Sequence, residues 1–255
     1  MVLVMFMGQS NMAGRGEAES AVVCSENAGY EFRAVTSPDR LYRISEPFGR
    51  DENRAGGVDD GSKKSGGMVT AFVDEYHRLT DRSIIAVSAS EGGTSLAQWK
   101  ERLLPDAVDR LEAAKAYTSE HNIPIEHIYM LWCQGETDGD LHTQKEQYKS
   151  GFHDIFETMK KHGVEKCFLI QIGHYNYVKH PEARKRIDGV VPSGQDEDYE
   201  LIRRAQLELC GKNEDIIFAG TFADCIDDMK DTFHYHQRAY TKAGRQAANV
   251  MARYD

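Results

Sequence analysis

Five short apolar runs punctuate the chain, at Val2–Met7, Ile84–Ser88, Ile128–Cys133, Cys167–Ile172 and Ile216–Ala219. Each is shorter than an ordinary buried helix, and too continuously apolar for a strand with one wet face. Runs of this kind suit strands covered on both sides. Between them lie stretches with helical spacing: Met68–Leu79, Leu103–Tyr117, Tyr148–His162, Glu200–Cys210 and Tyr240–Arg253. In the second of these, Leu104, Val108, Leu111 and Lys115 recur every three or four residues. Strands alternating with helices pair in parallel through right-handed crossovers. The pattern predicts an α/β fold, a three-layer α/β/α sandwich with a central parallel five-stranded sheet, flavodoxin-like in its winding.

A length of 255 residues suits a single domain over 1–255, and neither a repeat nor an interdomain linker interrupts it. Residues 15–66 and 173–197 carry little periodicity, and loops that long are usually functional or mobile. The net charge of -10 leaves no basic excess to neutralise phosphates, so no nucleic acid is expected as main partner. The apolar start lacks a basic flank and a small-residue cleavage site, and it is too short to span a bilayer. No membrane partner is expected, a cytoplasmic location is, and a homo-oligomer is compatible with all of this. Cys24, Cys133, Cys167, Cys210 and Cys225 form no C-x-x-C pair and are expected as free thiols, mostly buried as small hydrophobes.

In an open parallel sheet, ligands bind at the carboxyl ends of the strands. The first strand runs into Gly8-Gln9-Ser10-Asn11-Met12-Ala13-Gly14. A serine in that turn can raise its hydroxyl into a cleft, with backbone amides beside it as donors. The second strand ends at Ser90-Glu91-Gly92-Gly93-Thr94-Ser95, where paired glycines allow the close approach an oxyanion donor needs. The third ends at Gln134-Gly135-Glu136-Thr137-Asp138, and Gln134 offers a side-chain amide to the same oxyanion. After the fifth comes Asp231-Thr232-Phe233-His234. Three residues apart on one turn, Asp231 can hold one ring nitrogen of His234 while the other faces a serine. Alternatives stand beside each item: Ser10 as an ordinary turn residue, Asp231 as a cap, and His234 with His236 as half a metal site. No cluster elsewhere has convincing ligand spacing, so neither a metal nor a cofactor is expected.

Together these blocks resemble those of the SGNH hydrolases, in the form of the sialate O-acetylesterase and acetylxylan esterase family. Gly8–Gly14 is similar to the first block, and Glu91–Ser95 followed by Trp99 to the second. Gln134–Asp138 is similar to the third, where this branch has Gln-Gly-Glu in place of Asn, and Asp231–Tyr235 with Gln237, Tyr240 and Gly244 to the last. The resemblance implies the three-layer fold and a carbohydrate esterase acting on acetylxylan or O-acetylated sialic acid. It implies Ser10 as nucleophile, His234 as base and Asp231 as its orienter. The implied oxyanion hole is the Ser10 amide, Gly92 or Gly93, and Gln134. Gln9, Asn11 and Glu136 are supporting candidates, with Glu136 either bracing Gln134 or the serine loop, or contacting substrate directly. Arg15 is a candidate for contact with a sugar hydroxyl or carboxylate. Tyr30, Phe32, Tyr42, His174, Tyr175 and Tyr177 are candidates for a sugar-stacking wall. Two rival functions are a lipase or thioesterase of the wider group and a non-catalytic carbohydrate-binding protein.

Overall fold

The structure, a computed structural model, describes residues 1–176 and 199–254. Tyr177, His180 and the polar Ser193–Asp198 stretch lie outside the described residues. Among those described, seven strands form one sheet: β1 (Val2–Gly8), β2 (Gly29–Arg33), β3 (Ser37–Arg43), β4 (Ile84–Ser90), β5 (His127–Cys133), β6 (Lys166–Gln171) and β7 (Ile216–Thr221). They lie in the order β3-β2-β4-β1-β5-β6-β7. All neighbours pair in parallel except β3, which returns antiparallel along β2. The helices are α1 (Ser10–Ala13), α2 (Val69–Thr80), α3 (Leu96–Gln98), α4 (Leu104–Glu120), α5 (Glu136–Asp140), α6 (Lys145–Lys161), α7 (Glu200–Lys212) and α8 (Gln237–Met251).

The continuous apolar run of β1 is accounted for by its two covered faces. Leu3, Met5 and Met7 join Leu111 of α4, Phe152 of α6 and Ile202 of α7 in one core. Val2, Val4 and Phe6 join Phe72 of α2 and Tyr240 of α8 in the other. Strand residues alternate sides, so an apolar residue is required at every position when helices lie on both. This is the expected three-layer sandwich.

The expectation of five strands needs correcting to seven. β2 and β3 come from the segment 15–66, which has no apolar run to mark them. In β2 the residue beside the buried Phe32 is a buried Glu31, and β3 reads Ser-Pro-Asp-Arg-Leu-Tyr-Arg along an edge. Polar contacts hold this segment in place. The buried Glu52 accepts from the Val35 amide (2.8 Å), the Thr36 amide (3.1 Å) and the Thr36 hydroxyl (2.6 Å). Arg110, 0% exposed, donates to the Ser88 carbonyl (2.9 Å), the Glu52 carbonyl (3.0 Å) and Asp106 Oδ2 (3.0 Å). Lys64 Nζ donates to Ser88 Oγ at 2.8 Å, and its burial pulls the ammonium down to about 8. Hydrophobic periodicity does not report a segment anchored by buried ionic groups.

The winding of the sheet places the site. From β1 the chain builds β2, β3 and β4 on one side, then passes back over β1 to β5 on the other. The order reverses there, so a crevice opens at the carboxyl ends of β1 and β5. Gly8 stands at its floor, level with Ser90 of β4 and Cys133 of β5. Its φ is +144°, and a Cβ there would lie 2.0 Å from the Cys133 carbonyl oxygen. The Cys133 backbone, held in β5, cannot yield to that atom. Gly8→Ala should therefore cost about 3–4 kcal/mol, or roughly 10 °C in melting temperature at this chain length. A thermal melt within 2 °C or so of wild type would show that the strand end is more pliable than this packing implies.

Candidate active site

Ser10 follows Gly8 by two residues and opens the single turn of α1, inside the crevice. Its hydroxyl is 3.0 Å from His234 Nε2. On the far side of that ring, Nδ1 is 2.9 Å from Asp231 Oδ2. Serine, imidazole and carboxylate thus form one chain, contributed by residues 10, 234 and 231 from opposite ends of the sequence.

Asp231 also organises the loop that carries the histidine. Its Oδ1 accepts from the amides of Phe233 and His234, both at 2.8 Å, in the local turn that a short acidic side chain makes with backbone two and three residues on. The turn is closed by a Met229–Tyr235 bridge and by the Lys230 amide donating to the His234 carbonyl at 2.9 Å. Burial alone would raise the Asp231 carboxyl. The His234 ring and the two amides more than offset this and hold it well below the usual carboxylate range. Asp231 is therefore ionised at any working pH and favours a proton on His234 Nδ1, leaving Nε2 as the acceptor for the Ser10 hydroxyl.

Asn11 locks the three loops together. Its Nδ2 donates to Glu136 Oε1 (2.6 Å) and to the Phe233 carbonyl (3.1 Å), while its Oδ1 accepts from the Tyr240 hydroxyl (2.7 Å). Every hydrogen-bonding atom of that side chain is used, so the serine turn, the α5 turn and the histidine loop are held to one another. Burial pushes the Glu136 carboxyl above the usual carboxylate range, against the opposing bond from Asn11.

A cavity of about 310 Å3 opens over Ser10 and His234, with Gln9, Arg15, Gly93 and Glu136 in its wall. The Ser10 and Gly93 amides have no acceptor among the described residues. The Gly92 amide does: it donates to Asp60 Oδ1 at 3.0 Å. Asp60 is buried and also takes both hydrogen bonds of Arg15 Nη2, at 2.9 and 2.7 Å. An amide pointed at a carboxylate has no hydrogen left for a second anion.

A family model for carbohydrate esterases, described as sialic acid-specific acetylesterase, matches residues 1–253. The chain belongs to this carbohydrate esterase family. It is thus a carboxylic ester hydrolase. No curated protein matches the sequence. Among solved structures, a protein from Arabidopsis thaliana has a TM-score of 0.70 at 19% identity, over 97% of this esterase and 96% of that chain. A carbohydrate acetylesterase from Xanthomonas citri has a TM-score of 0.59 at 15% identity, over 99% of this chain and 56% of its own. An acetyl-xylooligosaccharide esterase from Geobacillus has a TM-score of 0.50 at 11% identity, over 98% and 93%. At these identities the likeness is one of fold.

Several sequence expectations meet this geometry unevenly. Ser10, His234 and Asp231 come together, and so do Gln9, Asn11 and Glu136. Arg15 reaches the cavity wall with its charge matched by Asp60, and that carboxylate, from the unassigned 15–66 segment, is the residue sequence reasoning missed. No spacing marks it. Gln134 does not reach the cavity. It is 0% exposed, and its Nε2 donates to the Thr94 carbonyl (3.0 Å) and Asp138 Oδ2 (2.5 Å). Its assignment as oxyanion donor is corrected on that ground. The same holds for Gly92, whose amide is taken, leaving Gly93 of the pair. The aromatic wall is also corrected at Phe32, Tyr42 and Tyr30. Phe32 is core packing against Tyr117, Tyr42 lies against Arg33 and Arg40 on the edge strand, and Tyr30 bonds Asn27. Tyr175 packs edge-on against Phe233 at 5.3 Å, and His174 meets Arg203 at 3.1 Å. His236 pairs with Glu17 at 3.1 Å, away from Ser10. Of the five cysteines, Cys210 is half-buried, the others are buried, and all are free. No helix among the described residues is long and apolar enough to cross a membrane.

Proposed function

We propose that the chain, acting as one domain over 1–255, removes O-acetyl groups from carbohydrates through a Ser10–His234–Asp231 triad. The observation that carries this is the unbroken hydrogen-bonded chain from Ser10 Oγ through His234 to Asp231. An unassisted hydroxyl is a poor nucleophile near neutral pH. As Ser10 Oγ attacks the acetyl carbon, His234 Nε2 takes its proton, and Asp231 stabilises the resulting imidazolium. The carbonyl oxygen, now an oxyanion, accepts from the Ser10 and Gly93 amides. The sugar oxygen leaves with the proton from His234, and acetyl-Ser10 is hydrolysed by water that the same histidine activates.

The size and wall of the cavity support a short acyl group on a hydroxylated leaving group. Carboxylate and guanidinium groups line it (Glu136, Asp140, Arg15), and these suit sugar hydroxyls better than an alkyl chain. Each methylene added to an acetyl group has to displace packed atoms, at about 1–3 kcal/mol. A lipase groove would instead gain about 0.8 kcal/mol per methylene. Across acetate, propionate, butyrate and octanoate esters of one alcohol, kcat/KM should fall roughly 5–150-fold per early step and vanish by octanoate. A flat or rising series would point to a lipase or thioesterase. Acetate release from acetylated xylan, O-acetylated sialic acid and simple sugar acetates then identifies the sugar, and a protein inert on all of them would be the binding protein.

A further inference from the structure

With Gln134 withdrawn from the cavity, the oxyanion keeps two backbone donors and loses the expected side-chain one. We propose that the Gln9 carboxamide supplies that hydrogen bond to the ester carbonyl oxygen as it becomes an oxyanion. This rests on Ser10 acyl transfer as described above.

Three observations carry it. The first is orientation. Gln9 Oε1 accepts from the Gly135 amide at 3.2 Å and the Thr137 amide at 3.3 Å. A backbone N–H only donates, so the oxygen end of the carboxamide is the one held at the α5 turn. The Nε2 end is thereby turned away from that turn. The second is availability. Gln9 borders the cavity together with Ser10 and His234, and its Nε2 has no acceptor among the described residues. With the residue only 3% exposed, the side chain has little room to swing elsewhere. The third is the contrast with Gln134. Both of that amide's hydrogens are spent inside the protein, and its backbone carbonyl is held by the Tyr148 hydroxyl (2.7 Å) and Gln206 Nε2 (2.9 Å). Gln134 is a brace for the turn; Gln9 is the amide left facing the reacting group.

A donor already aimed where charge develops needs no reorganisation during the reaction. Gln9 fits that condition because two backbone amides fix its far end. It is also adjacent to Ser10 in the chain, so the same turn that raises the nucleophile carries the donor. Gln9 takes part in no covalent step. It gives one hydrogen bond, strongest when the carbonyl oxygen is negative.

The test uses Gln9→Glu, which is nearly isosteric and keeps an oxygen for the Gly135 and Thr137 amides, and Gln9→Met, which keeps length without a donor. Each is assayed on an acetate ester and on its thionoacetate counterpart, whose sulfur is a weak acceptor. On the acetate ester, kcat should fall about 100- to 1000-fold with little change in KM. The preference of wild type for the oxygen ester over the sulfur ester should shrink by a similar factor. A residue that merely shaped the turn would slow both esters together and leave that ratio alone, which would overturn the assignment. Either folded variant working within threefold of wild type would overturn it as well. Gln134→Met should leave the ratio unchanged. If Ser10→Ala is inert while the Gln9 variants keep the wild-type ratio, only the donor assignment fails; if Ser10→Ala stays active, the acyl-transfer mechanism fails with it.

Discussion

Ser10→Ala, His234→Ala and the double variant should all hydrolyse an acetyl ester at one residual rate, about a millionfold below wild type. The hydroxyl and the imidazole act as a unit: without the base the serine stays protonated, and without the serine the base has nothing to activate. Removing the second partner therefore costs almost nothing once the first is gone. The Ser10 hydroxyl has His234 as its partner at 3.0 Å, and among the described residues it makes no other hydrogen bond. Ser10→Ala should accordingly melt close to wild type. Kinetic assays of the three purified variants, with melting curves alongside, check this. Single variants whose losses multiply in the double would mean that the two residues act independently and do not form the proposed pair.

Asp231→Asn should lower kcat by about 10,000-fold while the loop keeps its shape. The Asn oxygen can still accept from the Phe233 and His234 amides. Its NH2 group then stands where Asp231 Oδ2 stood, 2.9 Å from His234 Nδ1. A donor there forces the ring proton onto Nε2, and that nitrogen can no longer accept from Ser10. The charge that would stabilise the imidazolium is lost as well. His236→Ala, by contrast, removes a half-exposed ring paired with Glu17 and should change the rate by no more than a few-fold. A larger loss at His236 than at His234 would shift the base by two residues. The lowered Asp231 carboxyl also has a stability consequence. Its folded-state value lies below its unfolded one, so its contribution is fully present above the ordinary carboxylate range. It is lost as the pH falls through the folded value.

The parts of this molecule that were legible in the sequence are those written in hydrophobic period. A strand such as Val2–Met7, buried on both faces, has to be apolar throughout, so β1 and the other core strands declare themselves. The strand ends were legible because Gly8, Gly92–Gly93 and Asp231–His234 combine residue types that ordinary turns rarely collect along one sheet edge. The hairpin of β2 and β3 was not legible: its inward residues include Glu31, and its outer strand faces water. Nor was Asp60, whose effect on Gly92 and Arg15 depends on a loop path that no local pattern encodes. The exchange of roles between Gln134 and Gln9 had the same origin. Both are glutamines at strand ends, and only the direction in which each amide is held separates a brace from a donor.

The central claim is that Ser10 is acylated by substrate. Treating the protein with a fluorophosphonate ester and mapping its peptides by mass spectrometry tests that most directly. One label per chain is expected, on Ser10, formed in step with loss of esterase activity, absent from Ser10→Ala and strongly slowed in His234→Ala. Stoichiometric label on another residue, or full inactivation with Ser10 unmodified, would contradict it.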